Sequence, residues 1–133
     1  MNEEYQLLGH NEANYIPLSP ISFLQRTADI YGEREAIIYG DKRYNWRQCR
    51  ERCLRIASSL VKSGIGLGDT VSVLAFNTPE MFESHFAVPM TGAVLNTINT
   101  RLDADTVAYI LKFGNAKALI VDRELFPLAE KAL

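Results

Sequence analysis

Cysteine and histidine are scarce, with two of each in 133 residues. Cys49 and Cys53 are four positions apart, so on one helix they share a face but are poorly placed to bridge. No histidine or third cysteine lies nearby to complete a metal site, and no metal ligand is assigned. Buried, reduced thiols of a cytoplasmic protein are the expectation. No apolar run approaches the ~20 residues that span a bilayer. Met1-Asn2-Glu3-Glu4 has no basic stretch and no apolar stretch follows it, so no secretory signal is expected. Positive charge is not in excess: the net charge is −2. The chain as a whole therefore has no electrostatic reason to bind nucleic acid or an anionic membrane. Internal repeats and low-complexity tracts are also missing.

What is present suits one domain with a core, since 47% of residues are hydrophobic and 23% charged. Residues 1–19 read as an extended lead-in containing Pro17. A first helix is expected after Ser19, with Pro20 at its first position, Phe23, Leu24, Thr27, Ile30 and Tyr31 in helical period, and Gly32 at its end. Glu35 to Trp46 reads as a hairpin turning at Gly40-Asp41-Lys42. Asn45 and Gln48 then form a capping box for a long helix. Its apolar stripe is Trp46, Cys49, Cys53, Ile56, Ala57 and Leu60, and Gly64 is the stop.

Thr70 to Phe76 has the length and apolar content of a strand covered on both faces, as in a parallel sheet. Asn77-Thr78-Pro79 breaks it. Phe82, His85, Phe86 and Pro89 follow with helical spacing, and Pro89 predicts a kink or an early end. Val94 to Ile98 is a second strand. Asp103 or Asp105 caps a helix carrying Val107, Ile110, Leu111 and Phe113, closed by Gly114. Ala118 to Val121 is a third strand, and a helix starts at Glu124. From residue 70 the order is β-α-β-α-β-α. The expected fold class is therefore α/β, a parallel βαβ sheet with flanking helices preceded by a β-hairpin. The helical pattern running to Leu133 suggests that more chain follows.

Candidate sites are few. Gly64-Ile65-Gly66-Leu67-Gly68 resembles a phosphate loop, but it follows a helix and precedes a strand, the reverse of a dinucleotide fingerprint, so turn glycines are the better reading. Lys42, Arg43, Arg47, Arg50, Arg52, Arg55 and Lys62 face only Asp41 and Glu51 locally. Arg47, Arg55 and Lys62 fall on the solvated side of the helix and no aromatics interleave, which favours an ordinary surface over a nucleic-acid face. His85 among phenylalanines is expected to be a hydrogen-bonded core residue. No serine or cysteine is in register with it, so no catalytic triad and no catalytic residue is assigned. Arg101 follows the second strand of the βαβ series. Loops there meet ligands in open α/β sheets, and an arginine can hold phosphate by paired hydrogen bonds. The competing reading is a surface arginine beside Asp103 and Asp105.

Tyr44-Asn45-Trp46, Gly68-Asp69-x-Val71, Asn77-Thr78-Pro79-Glu80, Phe86-Ala87-Val88-Pro89-x-x-Gly92-Ala93-Val94-Leu95 and Asn99-x-Arg101-Leu102 are individually weak signals. In this order and spacing they resemble the N-terminal part of the AMP-forming acyl-CoA synthetases, the adenylate-forming ligases. The similarity runs from about Pro17 to the end, with most likeness to enzymes for short- to medium-chain or aryl carboxylates. The resemblance implies the N-terminal subdomain of that fold over residues 1–133. It also implies a parent that activates a carboxylic acid with ATP and Mg²⁺ and passes it to CoA. In related enzymes the arginine of an Asn-Pro-Arg-Leu segment lies near the nucleotide phosphate of CoA; it carries over to Arg101, with Thr100 where those enzymes have proline. The family's Ser/Thr/Gly-rich loop ending in Pro-Lys and its catalytic lysine are not among these residues, so the chain alone is expected to be inactive. The implied partner is the remainder of the synthetase chain. The alternative is a free-standing, non-catalytic binding module that covers its bare apolar surface by forming a homodimer.

Overall fold

The computed structural model describes Gly9, Tyr15, Ile16 and residues 18–133. Met1–Glu4, Pro17 and most of the lead-in lie outside the described residues. Helix α1 (Pro20–Tyr31) starts where Ser19 and Ser22 cap each other reciprocally. Strands β1 (Glu35–Tyr39) and β2 (Lys42–Asn45) form the antiparallel hairpin. The turn is one residue shorter than expected, because Lys42 already pairs with Tyr39. Gly40 takes the left-handed conformation, φ 54°, that this tight reversal requires. Helix α2 (Trp46–Lys62) carries the expected Asn45–Gln48 box. It ends with left-handed Gly64 (φ 81°) and an Ile65 N–H to Leu60 C=O bond of 3.0 Å, a Schellman closure.

Strands β3 (Thr70–Leu74), β4 (Val94–Thr97) and β5 (Ala116–Val121) make a parallel sheet in the order β4-β3-β5. Helix α3 (Pro79–Met90) connects β3 to β4, and α4 (Ala104–Phe113) connects β4 to β5. A 3₁₀ turn (Arg123–Leu125) leads into α5 (Phe126–Ala132). Asp103 rather than Asp105 caps α4, accepting from Thr106 N–H at 2.8 Å.

Three apolar clusters hold these layers. Leu24 of α1, Cys49, Cys53 and Ala57 of α2 and Ala87 of α3 bring three helices together. Leu60, Ile65, Val71, Val88 and Ala93 seat α2 and α3 on one sheet face. Leu74, Ile98, Val107, Leu111 and Ala129 seat α4 and α5 on the other. Each fully buried Val or Leu in these clusters contributes about 1.5–3 kcal/mol over an exposed one. Both cysteines are free and buried. The Cys53 thiol is pushed up by its hydrogen bond with Cys49 and then by burial, which keeps it protonated.

Several expected core positions face outward instead. Phe23, Ile30 and Tyr31 of α1 and Phe113 of α4 are exposed, while Ala28 is buried. Gly32 and Gly114 end their helices as expected, both in the right-handed conformation. A Cβ on Gly32 would sit 2.6 Å from the Ala28 carbonyl, so close approach explains that glycine. Asn115, φ 48°, takes the left-handed turn after α4.

The glycines of 64–68 are turn residues, pinned by a carboxylate. Asp69 accepts from Gly66 N–H at 2.8 Å and from Lys117 Nζ at 2.9 Å, and Lys117 also donates to the Gly64 carbonyl. The Lys117 hydrogen bond, then the Gly66 amide, hold the Asp69 carboxyl below its ordinary range. A lowered folded value means a stabilisation fully present above the unfolded value of about 3.9 and lost as pH falls through the folded one. Urea melts between pH 6 and pH 3 are expected to show this loss on the acid side. Asp69→Asn flattens that limb, and an unchanged limb would refute the assignment.

Candidate functional site

The order β4-β3-β5 means that the chain leaves β3 in one direction through α3 and returns across it through α4. The loops after β3 and β4 therefore diverge to opposite faces of the sheet. A crevice opens between them at the carboxyl ends of the strands, the place where open α/β sheets bind ligands. It has a volume of about 750 Å³. Phe76 and Asn77 from the β3 loop, Thr97, Asn99 and Arg101 from β4 and its loop, and His85 from α3 line it. Ile98 N–H bonds to Val73 O and Asp122 N–H to Leu74 O, both at 2.9 Å, so the walls are tied to β3.

Arg101 is exposed and, among the described residues, is the only Asp, Glu, Lys or Arg in the lining. Its loop keeps a defined shape without proline, because the Asn99 side chain accepts from the Arg101 N–H at 3.0 Å and the Asn99 carbonyl from Leu102 N–H. Asp103 is engaged at the start of α4 by the Thr106 amide and hydroxyl, which lower its carboxyl's affinity for a proton. Asp122 and Glu80 line a separate recess of about 260 Å³. From the described residues the crevice thus offers one guanidinium and amide and hydroxyl groups, and no carboxylate.

His85 is not the core residue expected. It is exposed and lines the crevice, and its Nδ1 lies 2.9 Å from the Met81 carbonyl. The buried face of α3 is Glu83, Ser84, Ala87 and Val88. Phe82 is exposed, and Phe86, packed edge to face with it at 5.2 Å, is half-buried against the cluster that joins α1, α2 and α3. Apolar residues occur on both sides of this helix, so periodicity had no single stripe to identify. The buried carboxylate of Glu83 is the hidden signal; Arg52, one of the basic run of α2, reaches it.

Most of that run is paired, Lys62 excepted. Lys42 pairs with Glu80, Arg43 with Glu35, Arg47 with Glu33, Arg50 with Asp29 and Arg55 with Glu51. A phosphate backbone would have to compete with these partners. Among the described residues no group of three His, Cys, Asp or Glu could hold a metal ion, and no helix is long and apolar enough to cross a membrane.

The family model described as AMP-binding enzyme matches residues 24–133. This chain belongs to the AMP-binding enzyme family. Its architecture is that of the N-terminal subdomain of adenylate-forming ligases. A peroxisomal butyrate–CoA ligase of Arabidopsis thaliana is 53% identical over 122 residues, which are 92% of this chain and 21% of that protein. A peroxisomal trans-cinnamate:CoA ligase of Petunia hybrida is 54% identical over 121 residues, 91% of this chain and 21% of that protein. The chain thus spans about a fifth of the length of these curated relatives. Among solved structures, the anthranilate CoA ligase AuaEII in complex with anthranoyl-AMP superposes with a TM-score of 0.82 at 27% identity. That match covers 90% of this AMP-binding family chain and 24% of that one.

Proposed function

We propose that residues 1–133 are the first subdomain of an AMP-forming carboxylate–CoA ligase, and that the crevice at Arg101 receives the nucleotide phosphate of CoA. The observation that carries this is the lining: one arginine, no carboxylate, at the switch point of a parallel sheet. The parent reaction joins a short-chain, fatty or aryl acid to CoA. ATP first adenylates the acid and releases pyrophosphate, and the CoA thiol then displaces AMP.

The residues present fit a phosphate anion. They do not fit Mg²⁺, because the crevice has no carboxylate ligand. ATP and its metal are therefore assigned to the rest of the parent chain, and no step through them is assigned here. What these residues do is bind and orient. The Arg101 guanidinium donates to phosphate oxygens, and Asn99 fixes the loop that presents it. Holding one end of CoA brings its thiol to a bound acyl-adenylate as a near-unimolecular encounter.

The partner of the exposed apolar surface is the remaining chain of the ligase, since relatives are about five times longer. A homodimer would use the same surface and would show in the mass of the chain in solution. The compartment proposed is cytoplasmic, on the two unbridged thiols; the location in the relatives' names is theirs.

The test uses ATP, Mg²⁺, CoA and a panel of short-chain and aryl acids. The 133 residues alone are expected to release no acid-dependent AMP, and the longer reading frame to release it. Turnover by the short chain would sink the subdomain reading. A full-length protein that forms no acyl-CoA with any acid would sink the ligase reading.

A further inference from the structure

The parallel sheet has open edges at β4 and β5, because β3 is central. An open edge presents unpaired N–H and C=O groups to any second strand, and native proteins guard it with charge, irregularity or cover. The other outer strands carry such guards. Glu35 lies on β1, Lys42 and Arg43 on β2, and Lys117 on β5, whose ladder with β3 also shifts register at Thr70/Val71. Strand β4 is Val-Leu-Asn-Thr, with no charge, no proline and no shift in its ladder.

The register says which groups β4 leaves bare. Val94 N–H bonds to Asp69 O at 2.8 Å and Ile98 N–H to Val73 O at 2.9 Å. Backbone polar groups alternate sides along a strand. Val94, Asn96 and Ile98 therefore face β3, and the N–H and C=O of Leu95 and Thr97 point away from it. Apolar side chains stand beside this edge: Val94 is 55% exposed, Tyr109 63% and Phe113 80%. Tyr109 stacks on Phe113 at 5.7 Å, and with Asn96 they line a recess of about 280 Å³ between α4 and β4. Asn96 gives one Nδ2 proton to Ser72 at 3.0 Å. Its second proton and its Oδ1 have no partner among the described residues.

We propose that the 133-residue chain pairs with a second copy of itself through β4, the two strands antiparallel about a two-fold axis at Asn96. The edge is self-complementary under that operation. Leu95 exchanges N–H and C=O bonds with the partner's Thr97, and Thr97 with the partner's Leu95. Asn96 lies opposite the partner's Asn96 at the closer, non-hydrogen-bonded position, where the spare Nδ2 proton of each amide reaches the Oδ1 of the other. Head-to-tail pairing lacks this reciprocity and does not close. The net charge of −2 gives little repulsion between copies. The added strand also runs past the recess and shields its aromatic walls from water. In a longer parent the remaining chain competes for the same edge, so the pairing belongs to the 133 residues alone and stands apart from the ligase reading.

The test is the mass of the 133-residue chain by sedimentation across a concentration series, with hydrogen exchange of the backbone amides. The expected result is twice the chain mass at high concentration, with exchange at Leu95 and Thr97 slowing as the dimer forms. Thr97→Pro removes an outward N–H that the ladder to β3 does not use, so the fold tolerates it. It weakens the dimer about ten- to a hundredfold, through one lost hydrogen bond per copy. Thr97→Ala keeps the N–H and leaves the dimer intact. Val94→Lys puts a charge on the edge at an exposed position and also weakens the dimer; it carries the test if Thr97→Pro does not fold. A wild-type chain that stays monomeric at every concentration would overturn the proposal. So would a dimer unmoved by both variants, or one whose protected amides lie on β5 instead. Filaments in place of a closed dimer would show head-to-tail pairing and overturn the two-fold arrangement.

Discussion

Arg52→Met lowers the unfolding free energy by about 3–5 kcal/mol, the cost of leaving a buried charge without its partner. Glu83 has no solvent exposure, yet it lies on the face of α3 that packs against α2. Both of its carboxylate oxygens accept from Arg52, one from Nε and the other from a terminal nitrogen at 3.1 Å. The Arg52 guanidinium also lies over the Tyr44 ring at 4.4 Å. The hydrogen bond to Glu83 is the first reason that Arg52 holds its proton more tightly than usual.

The two partners are not equivalent, and this makes the prediction specific. The Arg52 side chain retains 28% exposure and has Glu80 at 3.7 Å. Glu83→Gln therefore leaves a cation that water and Glu80 still reach, and costs only about 1–3 kcal/mol. Arg52→Met leaves a buried carboxylate without the partner that holds both of its oxygens. The double variant Arg52→Met, Glu83→Met removes both charges and recovers most of the loss, as buried pairs replaced by apolar residues do. Urea denaturation of the three variants at pH 7 decides the matter. A Glu83→Gln protein less stable than Arg52→Met would show that the pair is solvated in a way that the packing of α2 on α3 does not allow.

On the proposed CoA role of Arg101, Arg101→Ala in the longer parent protein is expected to raise KM for CoA about ten- to a hundredfold, the range for losing charge-assisted hydrogen bonds to phosphate. Acid-dependent exchange between ATP and pyrophosphate is unaffected, because that half-reaction runs without CoA. Arg101→Lys restores part of the affinity only, since an ammonium is a point charge without the guanidinium fork. The exposure of Arg101 means that the substitution disturbs no packing, so fold and function separate cleanly in this variant. A defect in the exchange reaction would move Arg101 out of the CoA site and into adenylation.

Much of the fold was legible because it depends on local rules. Ser19, Asn45 and Asp103 are caps with their partners three residues on, and each cap is found in place. The run Thr70 to Leu74 is apolar enough for a strand covered on both faces, and it is the central strand of the sheet. The stripe of α2 was found because its other side is mostly polar, with Leu54 and Val61 the large apolar exceptions. The same method was half right on α3: of Phe82, His85, Phe86 and Pro89, Phe86 packs against the core while Phe82 and His85 face outward. It failed on α1, where it chose Phe23 and Ile30 over Ala28.

The sequence by itself determined the elements, the parallel sense of the sheet and the family, but not the strand order, since periodicity, capping and motif spacing are properties of neighbouring residues. It also placed Arg101 after a strand end. Only the tertiary structure decided which face of α3 is buried, that Glu83 is the charge enclosed there with Arg52, and that His85 and Arg101 share one crevice. Those facts depend on residues 16 to 31 positions apart meeting in space. Burial is a property of the assembled layers: α3 turns inward the face that α2 and the sheet can cover, with Arg52 in reach of Glu83, whatever stripe the helix carries alone.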